Sequence, residues 1–277
     1  MKIALCNEVL QPLAFDAQCK LAKDLGYDGL ELAPFTLAED PTQLTDAEVA
    51  GIRRTAEDNG LRIFGLHWLL VAPAGLSIVS ADAALRLRTQ EVMVRLVEIC
   101  AALGGSYLVH GSPKQRSVPA GSTREQASAR ARDCLAAAAA AAARCGVTYC
   151  IEPLSRRETD LVNTVEEGAR MVTEVGSPAL RTMIDCSAAG QAEVEPVHEV
   201  MQRWLPTGMI GHVQVNDPNR RGPGQGDLDF APILRVLRAN ASHYPGIIAV
   251  EPFDYVPDGP GCAAESIRYL RELDARG

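Results

Sequence analysis

The stretch Thr148-Tyr-Cys-Ile-Glu152 is a short apolar run that ends in a carboxylate, and it lies between two longer segments of helical character, 122–145 and 163–175. Its length and its continuous apolar character are typical of a parallel strand that is covered on both faces. The same alternation of a short apolar run with a longer helical segment extends from this stretch to both ends of the chain. The pattern therefore predicts a fold that is built from one repeated strand–helix unit.

Eight such units follow one another without a linker. The predicted strands are 2–6, 29–33, 62–67, 107–110, 148–152, 182–185, 211–215 and 247–251. The predicted helices are 16–25, 45–59, 82–103, 122–145, 163–175, 190–203, 229–240 and 262–274. Strict alternation of this kind predicts one α/β domain over residues 1–277, a closed (β/α)8 TIM barrel. An open doubly wound sheet is the alternative, but the first turn, Asn7-Glu-Val-Leu-Gln-Pro12, lacks the G-x-G-x-x-G pattern of such folds.

Residues that favour helix ends accompany the helical segments. Glycines that we expect in a left-handed C-terminal cap are Gly26, Gly60, Gly104, Gly146 and Gly176. Expected N-caps are Asp16, Thr45 and Asp229. Thr45 and Glu48 have the spacing of a capping box.

The composition limits the possible partners. The chain of 277 residues has a net charge of −8 and a pI near 5.2, whereas a protein that binds nucleic acid needs a basic face. No apolar run approaches the roughly 20 residues of a membrane span. The start, Met-Lys-Ile-Ala-Leu-Cys6, resembles a short strand rather than a signal peptide. We therefore expect a cytoplasmic enzyme without a nucleic-acid or membrane partner.

Polar residues stand near the ends of the last four predicted strands. They are Glu152, Asp185, His212 and Glu251. In a TIM barrel the active site lies at the C-terminal ends of the strands. An acid at one strand end is usually a helix cap or half of an ion pair, but acids on adjacent strands would repel one another without a cation. The sequence therefore predicts one divalent cation, and these ligands suit Mn²⁺, Mg²⁺ or Co²⁺ without choosing among them, with Zn²⁺ also possible. Mn²⁺ is our first expectation.

At these positions the sequence resembles the sugar isomerase/epimerase superfamily of xylose-isomerase-like barrels, in particular the ketose 3-epimerases of the tagatose or psicose type. The matching stretches are Glu152-Pro-Leu-Ser-Arg-Arg-Glu158, Ile184-Asp185, Gly211-His-Val-Gln-Val-Asn-Asp217, Pro223-Gly-Gln-Gly-Asp227 and Val250-Glu-Pro-Phe253. Weaker similarity extends over the whole chain.

The resemblance implies roles for several of these residues. It implies that Glu152, Asp185, His212 and Glu251 bind the metal, and that Glu152 and Glu251 also form the acid/base pair. It further implies that Glu158 and one of Arg220 and Arg221 contact the substrate. Relatives of this kind are often dimers or tetramers, which leaves the oligomeric state open. The family usually has a histidine three residues after the strand-six Asp, whereas this chain has Ala188, so a standard free ketose is in doubt.

Other polar residues lie near the ends of predicted strands three and four. His67 and Trp68 are candidates for a polar and aromatic wall around a sugar, with a structural role as the alternative. His110 is a candidate to replace the missing histidine, and Arg116 is a candidate ligand for an anionic group such as phosphate or carboxylate. The Gly- and Pro-rich segment 216–227 has the composition of a long loop that covers the metal site.

The predicted chemistry is the removal of a proton from carbon next to a carbonyl, through an enediolate that a metal ion stabilises. Return of the proton gives an epimer or an aldose–ketose isomer, depending on the face and on the carbon. The alternatives are a lyase or hydrolase that acts on a 3-oxo sugar, a phosphodiesterase like the apurinic endonucleases, and a sugar-binding protein without activity. The five histidines and the acidic charge disfavour the phosphodiesterase.

Overall fold

The computed structural model describes residues 1–244 and 246–276. The strands are β1 Lys2–Cys6, β2 Gly29–Leu32, β3 Arg62–Leu66, β4 Tyr107–His110, β5 Thr148–Ile151, β6 Leu180–Asp185, β7 Ile210–Val215 and β8 Ile247–Val250. The helices are α1 Phe15–Leu25, α2 Asp46–Asp58, α3 Ala83–Ala102, α4 Arg124–Cys145, α5 Val165–Val175, α6 Cys186–Ala192, α7 Val197–Trp204, α8 Phe230–Ala239 and α9 Gly259–Arg276.

The sheet is a closed parallel barrel. Each strand pairs with its neighbour in sequence order, and β8 pairs with β1. Apolar residues of the strands and of the surrounding helices are buried together in a connected core, as the continuously apolar strands require. The predicted TIM barrel is confirmed, and the open doubly wound sheet is excluded. Because all the strands run in one direction, their C-terminal ends meet at one mouth of the barrel.

Most of the predicted helix boundaries hold. All five predicted glycines have positive φ angles between 69° and 97°. The capping box of Thr45 and Glu48 is present at α2, and Asp229 caps α8. The prediction that Asp16 is an N-cap is wrong, because α1 begins at Phe15 with Ala14 as its N-cap. The Asp16 side chain instead binds Lys20 one turn later, at 2.6 Å.

One predicted helix is two helices in the structure. The segment 190–203 was expected to be continuous, but α6 ends at Ala192 and α7 starts at Val197, with Pro196 as its N-cap. Proline cannot donate to the preceding helical turn, and it disfavours helical dihedrals in the residue before it. The break lets α6 begin immediately after β6, where Asp185 caps it.

None of the helices within the described residues is long and apolar enough to cross a membrane.

Candidate active site

Three acidic side chains meet at the barrel mouth. Glu152 follows β5, Asp185 is the last residue of β6, and Glu251 follows β8. One carboxylate oxygen from each lies within 4.8 Å of the other two, and all three residues are buried. The structure thus brings together three of the four predicted metal ligands, which we call the carboxylate cluster.

The cluster is electrostatically unfavourable by itself. Burial raises the pKa of Asp185 to about 7 and that of Glu251 to about 8. Burial, followed by the charges of Glu251 and Asp185, raises the pKa of Glu152 well above its ordinary value. The Oε2 atom of Glu251 is buried and has no hydrogen-bond partner among residues 1–244 and 246–276. Buried acids that lie close together, one of them with an oxygen that has no donor, are an arrangement that a bound cation would stabilise.

Backbone and amide groups orient two members of the cluster. Asp185 Oδ1 accepts a hydrogen bond from the Ala188 amide at 2.6 Å, and its Oδ2 accepts one from Asn216 Nδ2 at 2.7 Å. Asn216 Nδ2 also donates to the Glu251 carbonyl at 2.8 Å. Asn216 therefore links the end of β6 to the end of β8, a role that the sequence did not indicate.

Gly111 makes room for the third member. A Cβ atom at this position would lie 2.1 Å from Glu152 Oε2. Real Cβ contacts are never so short, so a side chain at residue 111 would displace the Glu152 carboxylate.

A small cavity, the inner chamber, lies against the cluster and has a volume of about 20 Å³. Its lining includes Glu152, Glu158, Glu251, Gly111, Trp68 and Phe253. The Trp68 and Phe253 rings meet edge to face with centroids 6.2 Å apart. A volume of 20 Å³ holds roughly one or two water-sized groups.

Two arginines follow β7, and the structure separates their positions. Arg220 Nη1 lies 3.9 Å from Glu158 Oε1, and its guanidinium lies 4.8 Å from the centroid of the Phe253 ring. Arg221 Nε instead binds Asp254 Oδ2 at 3.0 Å. Of the two, only Arg220 therefore reaches the walls of the inner chamber. Which of them contacts a substrate stays a prediction.

His67 lies behind Glu251. Its Nδ1 is 2.8 Å from Glu251 Oε1, and its Nε2 is 2.9 Å from Glu8 Oε2. Burial lowers the pKa of His67, but the charge of Glu8 and the hydrogen bonds to both acids raise it well above its ordinary value. The ring holds one oxygen of Glu251 and leaves the other free. Its neighbour Trp68, by contrast, lines the chamber directly.

His110 and Arg116 are buried close to the chamber wall without lining it. His110 Nδ1 lies 2.8 Å from Tyr149 Oη, and its Nε2 has no partner among the described residues. The same holds for all three guanidinium nitrogens of Arg116. Burial lowers the pKa of Arg116 to about 10, against the opposing charges of Glu152 and Glu158. Burial and then the Arg116 charge lower the pKa of His110 to about 3.

His212 lies deeper in the barrel than the cluster. Its Nε2 is 2.8 Å from Glu31 Oε2, close in distance but poorly directed for a hydrogen bond. Its ring stacks on Tyr107 with centroids 3.8 Å apart. The carboxylate cluster, whose ligand atoms lie within 4.8 Å of one another, does not include His212. Its role as a metal ligand stays a prediction.

The pairing of β6 with β7 shows that His212 lies below the level of Asp185. In the β6–β7 pair, Met183 lies opposite His212 and Asp185 lies opposite Gln214, with an irregularity between Thr182 and Met183. Paired residues of parallel strands point to the same face, and a step of two residues is about 6.6 Å along a strand. Gln214 therefore shares the level of Asp185, and its buried Oε1 has no partner among the described residues.

Glu31 is the centre of a second buried group, the deep cluster. It accepts hydrogen bonds from Tyr107 Oη at 2.6 Å and from Gln214 Nε2 at 2.7 Å, and it lies beside His212. Burial raises its pKa, but the His212 and His67 rings and the Tyr107 hydroxyl lower it to about 2. This acid is satisfied by the protein itself.

A second cavity of about 350 Å³ shares Trp68 and Phe253 with the inner chamber. We call it the outer groove. Its lining also includes Glu8, Gln11, Phe35, Arg220 and Tyr255. No pattern in the sequence indicates this groove, because its residues come from five separate loops, those after β1, β2, β3, β7 and β8.

The loop 216–227 is held in place at both ends. Asp217 accepts hydrogen bonds from the amides of Asn219 and Leu228. Gln225 donates to the Val256 carbonyl and to Glu265, both at 2.6 Å. The predicted function of this loop as a cover for the site stays a prediction.

Comparison with known proteins gives the family. The family described as xylose isomerase-like TIM barrel matches residues 19–273. The chain belongs to this family. The D-psicose 3-epimerase of Agrobacterium fabrum is 30% identical over 262 residues, which are 92% of this chain and 83% of that protein. The 3-dehydro-D-guloside 4-epimerase of Escherichia coli is 24% identical over 282 residues, 98% and 99% of the two chains.

A solved structure has the same fold. The crystal structure of a D-psicose 3-epimerase in the presence of D-fructose superimposes with a TM-score of 0.82 at 22% identity and covers 99% of each chain. The predicted relationship to the ketose 3-epimerase type of this family is confirmed, as is the prediction of an isomerase of the epimerase type.

Proposed function

We propose that this enzyme is a sugar epimerase that depends on a divalent cation, with Mn²⁺ as the preferred metal. The observation that carries the proposal is the carboxylate cluster. Glu152, Asp185 and Glu251 are buried with their oxygens within 4.8 Å of one another. The relatives support the choice of substrate class, because the Agrobacterium protein is named for D-psicose and the E. coli protein for an oxo sugar glycoside.

The residues present fit a divalent cation. Three carboxylates offer the hard oxygen ligands that Mn²⁺ and Mg²⁺ prefer. The free Oε2 of Glu251 and the raised pKa values of the three acids fit a site that needs a positive charge. A fourth ligand would come from His212, as the sequence predicts, or from the amide oxygen of Gln214, which the strand register favours.

A bound cation would supply a Lewis acid that stabilises negative charge on the substrate oxygens. The proton transfers then fall to Glu152 and Glu251, the two glutamates of the cluster. One carboxylate takes the proton from the carbon next to the carbonyl, and the other returns a proton on the opposite face. His67 holds Glu251 Oε1 at 2.8 Å, which fixes the direction of the other oxygen.

The remaining predicted substrate contacts divide by position. Glu158, Arg220 and Trp68 stand at or beside the inner chamber, and we propose that they hold the substrate. For His67, His110 and Arg116 we propose a supporting role through Glu251 and Glu152, since these side chains stay behind the chamber wall in this conformation. Arg221 binds Asp254 and is assigned no substrate contact.

The experiment is deuterium exchange. The purified enzyme, loaded with Mn²⁺, is incubated in D2O with ketoses, aldoses and 3-oxo glucosides, and the labelled carbon is located by NMR. We expect incorporation at one carbon. Glu152→Gln and Glu251→Gln should each lower its rate by about 10²–10⁴-fold, the usual contribution of a general acid or base.

Asp254→Asn is the matched control, because Asp254 is a carboxylate that binds Arg221 outside the chamber. It should exchange at the wild-type rate. A filled metal site that exchanges no proton with any sugar of the panel would contradict the proposal. So would a cluster that binds no Mn²⁺.

A further inference from the structure

The outer groove has an aromatic lining. The chain has few aromatic residues, 5 Phe, 6 Tyr and 2 Trp, yet Phe35, Trp68, Phe253 and Tyr255 all line this one cavity. Tyr255 is 36% exposed. Aromatic rings left at the rim of a cavity are typical of a ligand-binding surface.

Polar groups stand between these rings. The Glu8 carboxylate, the Gln11 amide and the Arg220 guanidinium line the same groove. A sugar ring offers both an apolar face of C–H bonds and an edge of hydroxyl groups, so it packs against an aromatic side chain while its hydroxyls bind polar neighbours. A purely apolar ligand would cover the Gln11 amide and the Arg220 guanidinium without offering them a hydrogen-bond partner.

The groove and the inner chamber are adjacent. Trp68 and Phe253 line both cavities, and Arg220 lines the groove while its guanidinium approaches Glu158 of the chamber. The groove volume of about 350 Å³ lies within the range of small-molecule sites, whereas the chamber has only about 20 Å³. A substituent on the reacting sugar would therefore leave the chamber past this aromatic pair and enter the groove.

We propose that the outer groove is a second carbohydrate subsite, and that the substrate is a glycoside whose second sugar ring binds there. The inference rests on the proposed function, because it takes the carboxylate cluster as the place where the first ring reacts. Phe35 and Tyr255 determine specificity in this arrangement. Both line the groove, and neither lines the chamber.

The test compares three substrates that share one reacting ring: 3-oxo-D-glucose, its methyl glycoside, and 3-oxo-cellobiose, in which a glucose is attached. The kcat/KM for deuterium exchange is measured for each. We expect 3-oxo-cellobiose to exceed the methyl glycoside by about tenfold or more. Tyr255→Ala and Phe35→Ala should each lower this ratio about tenfold, whereas Tyr255→Phe, which keeps the ring, should retain most of it.

Leu87→Ala is the matched control, since Leu87 is another exposed apolar side chain, on α3 outside the groove. It should leave the ratio unchanged. Equal kcat/KM for all three substrates would overturn the subsite. The same would follow if the Tyr255 and Phe35 variants lowered all three values by one common factor, as a general structural defect does.

A binding measurement separates the subsite from the proposed function. Calorimetry of the Mn²⁺-loaded enzyme with cellobiose and with D-glucose requires no turnover. Binding of cellobiose at least tenfold tighter than D-glucose, lost in Tyr255→Ala, would support the subsite even if no sugar exchanged its proton and the proposed function failed. Exchange on free ketoses without any preference for cellobiose in either assay would leave the proposed function standing and overturn the subsite.

Discussion

The carboxylate cluster and the deep cluster lie in the same barrel, yet they treat their acids in opposite ways. Glu31 in the deep cluster is surrounded by donors, and its pKa falls to about 2. Glu251 in the carboxylate cluster has an oxygen without a partner, and its pKa rises to about 8. Burial alone does not distinguish the two, because Glu31 is 0% exposed and Glu251 is 3% exposed. The difference indicates that the protein itself satisfies the Glu31 carboxylate, whereas we expect a ligand to complete the carboxylate cluster.

The largest expected effect is a difference in the free energy of unfolding between a variant of the deep cluster and a variant of the carboxylate cluster. Glu31→Gln removes a buried charge beside the His67 ring and replaces an acceptor of the Tyr107 hydroxyl and the Gln214 amide, so the free energy of unfolding should fall by about 3–5 kcal/mol. Glu152→Gln removes one of three acids that repel one another, so without metal it should cost nothing or stabilise by about 1 kcal/mol. Both values come from urea unfolding in the presence of EDTA. Equal losses in the two variants would remove the distinction.

The next effect is stabilisation by metal. A ligand that binds only the folded state at 100 times its Kd raises the free energy of unfolding by about 2.7 kcal/mol. We expect Mn²⁺ to do this for the wild type and for the Asp254→Asn control, and to have little effect on Glu251→Gln. Unfolding midpoints across a Mn²⁺ titration measure it. A full response of Glu251→Gln would place the metal elsewhere.

A smaller effect appears in the pH dependence without metal. Asp185 has its folded pKa raised to about 7, so the stability that it contributes is complete below its unfolded pKa of about 4 and is lost as pH rises through 7. Glu31 shows the reverse, because its pKa of about 2 means that its contribution is lost as pH falls below about 4.

Asp185→Asn isolates the first of these effects. Its stability relative to the wild type should increase by roughly 2–4 kcal/mol between pH 5 and pH 8, at about 1.4 kcal/mol per unit of pKa shift. Unfolding curves at several pH values in EDTA provide the comparison. A constant difference across this range would mean that the Asp185 carboxyl is not perturbed, and saturating Mn²⁺ should reverse the sign of the trend.

The smallest effect concerns Gln214, which connects the two clusters. Its Nε2 binds Glu31 in the deep cluster, and its Oε1 is free at the level of Asp185. Gln214→Leu should therefore weaken Mn²⁺ binding about tenfold, or roughly 1.4 kcal/mol. His212→Asn, one level deeper, should weaken it less. Calorimetric Kd values decide between the two residues, and the opposite order would establish His212 as the fourth ligand.

Much of this molecule could be predicted from the order of its residues. The alternation of apolar runs and helical segments determines the barrel, because each parallel strand must be covered by its own helix. The acids at the strand ends follow from the same pattern. Thr148–Ile151, for example, is a continuous apolar strand, so the residue directly after it, Glu152, emerges at the mouth.

Other features depend on three-dimensional packing that no local pattern encodes. The irregularity between Thr182 and Met183 shifts the β6–β7 register by one residue and places Gln214, rather than Val213, opposite Asp185. The choice between Arg220 and Arg221 depends on Phe253 and Asp254, which lie more than thirty residues further along the chain. The aromatic pair of Trp68 and Phe253 likewise joins two distant loops.

The edge-to-face pair of Trp68 and Phe253 has a kinetic consequence. With the pair in contact, the chamber has a volume of only about 20 Å³, so we expect a sugar that reacts there to require the pair to open for entry and again for release. If opening for release is slower than proton transfer, while opening for entry is fast, the primary deuterium isotope effect on kcat disappears and the effect on a single turnover remains. Trp68 itself reports the event, because the only other tryptophan is Trp204 at the end of α7. In a Trp204→Phe background, stopped-flow emission would follow this gate alone, and its rate could be compared directly with kcat.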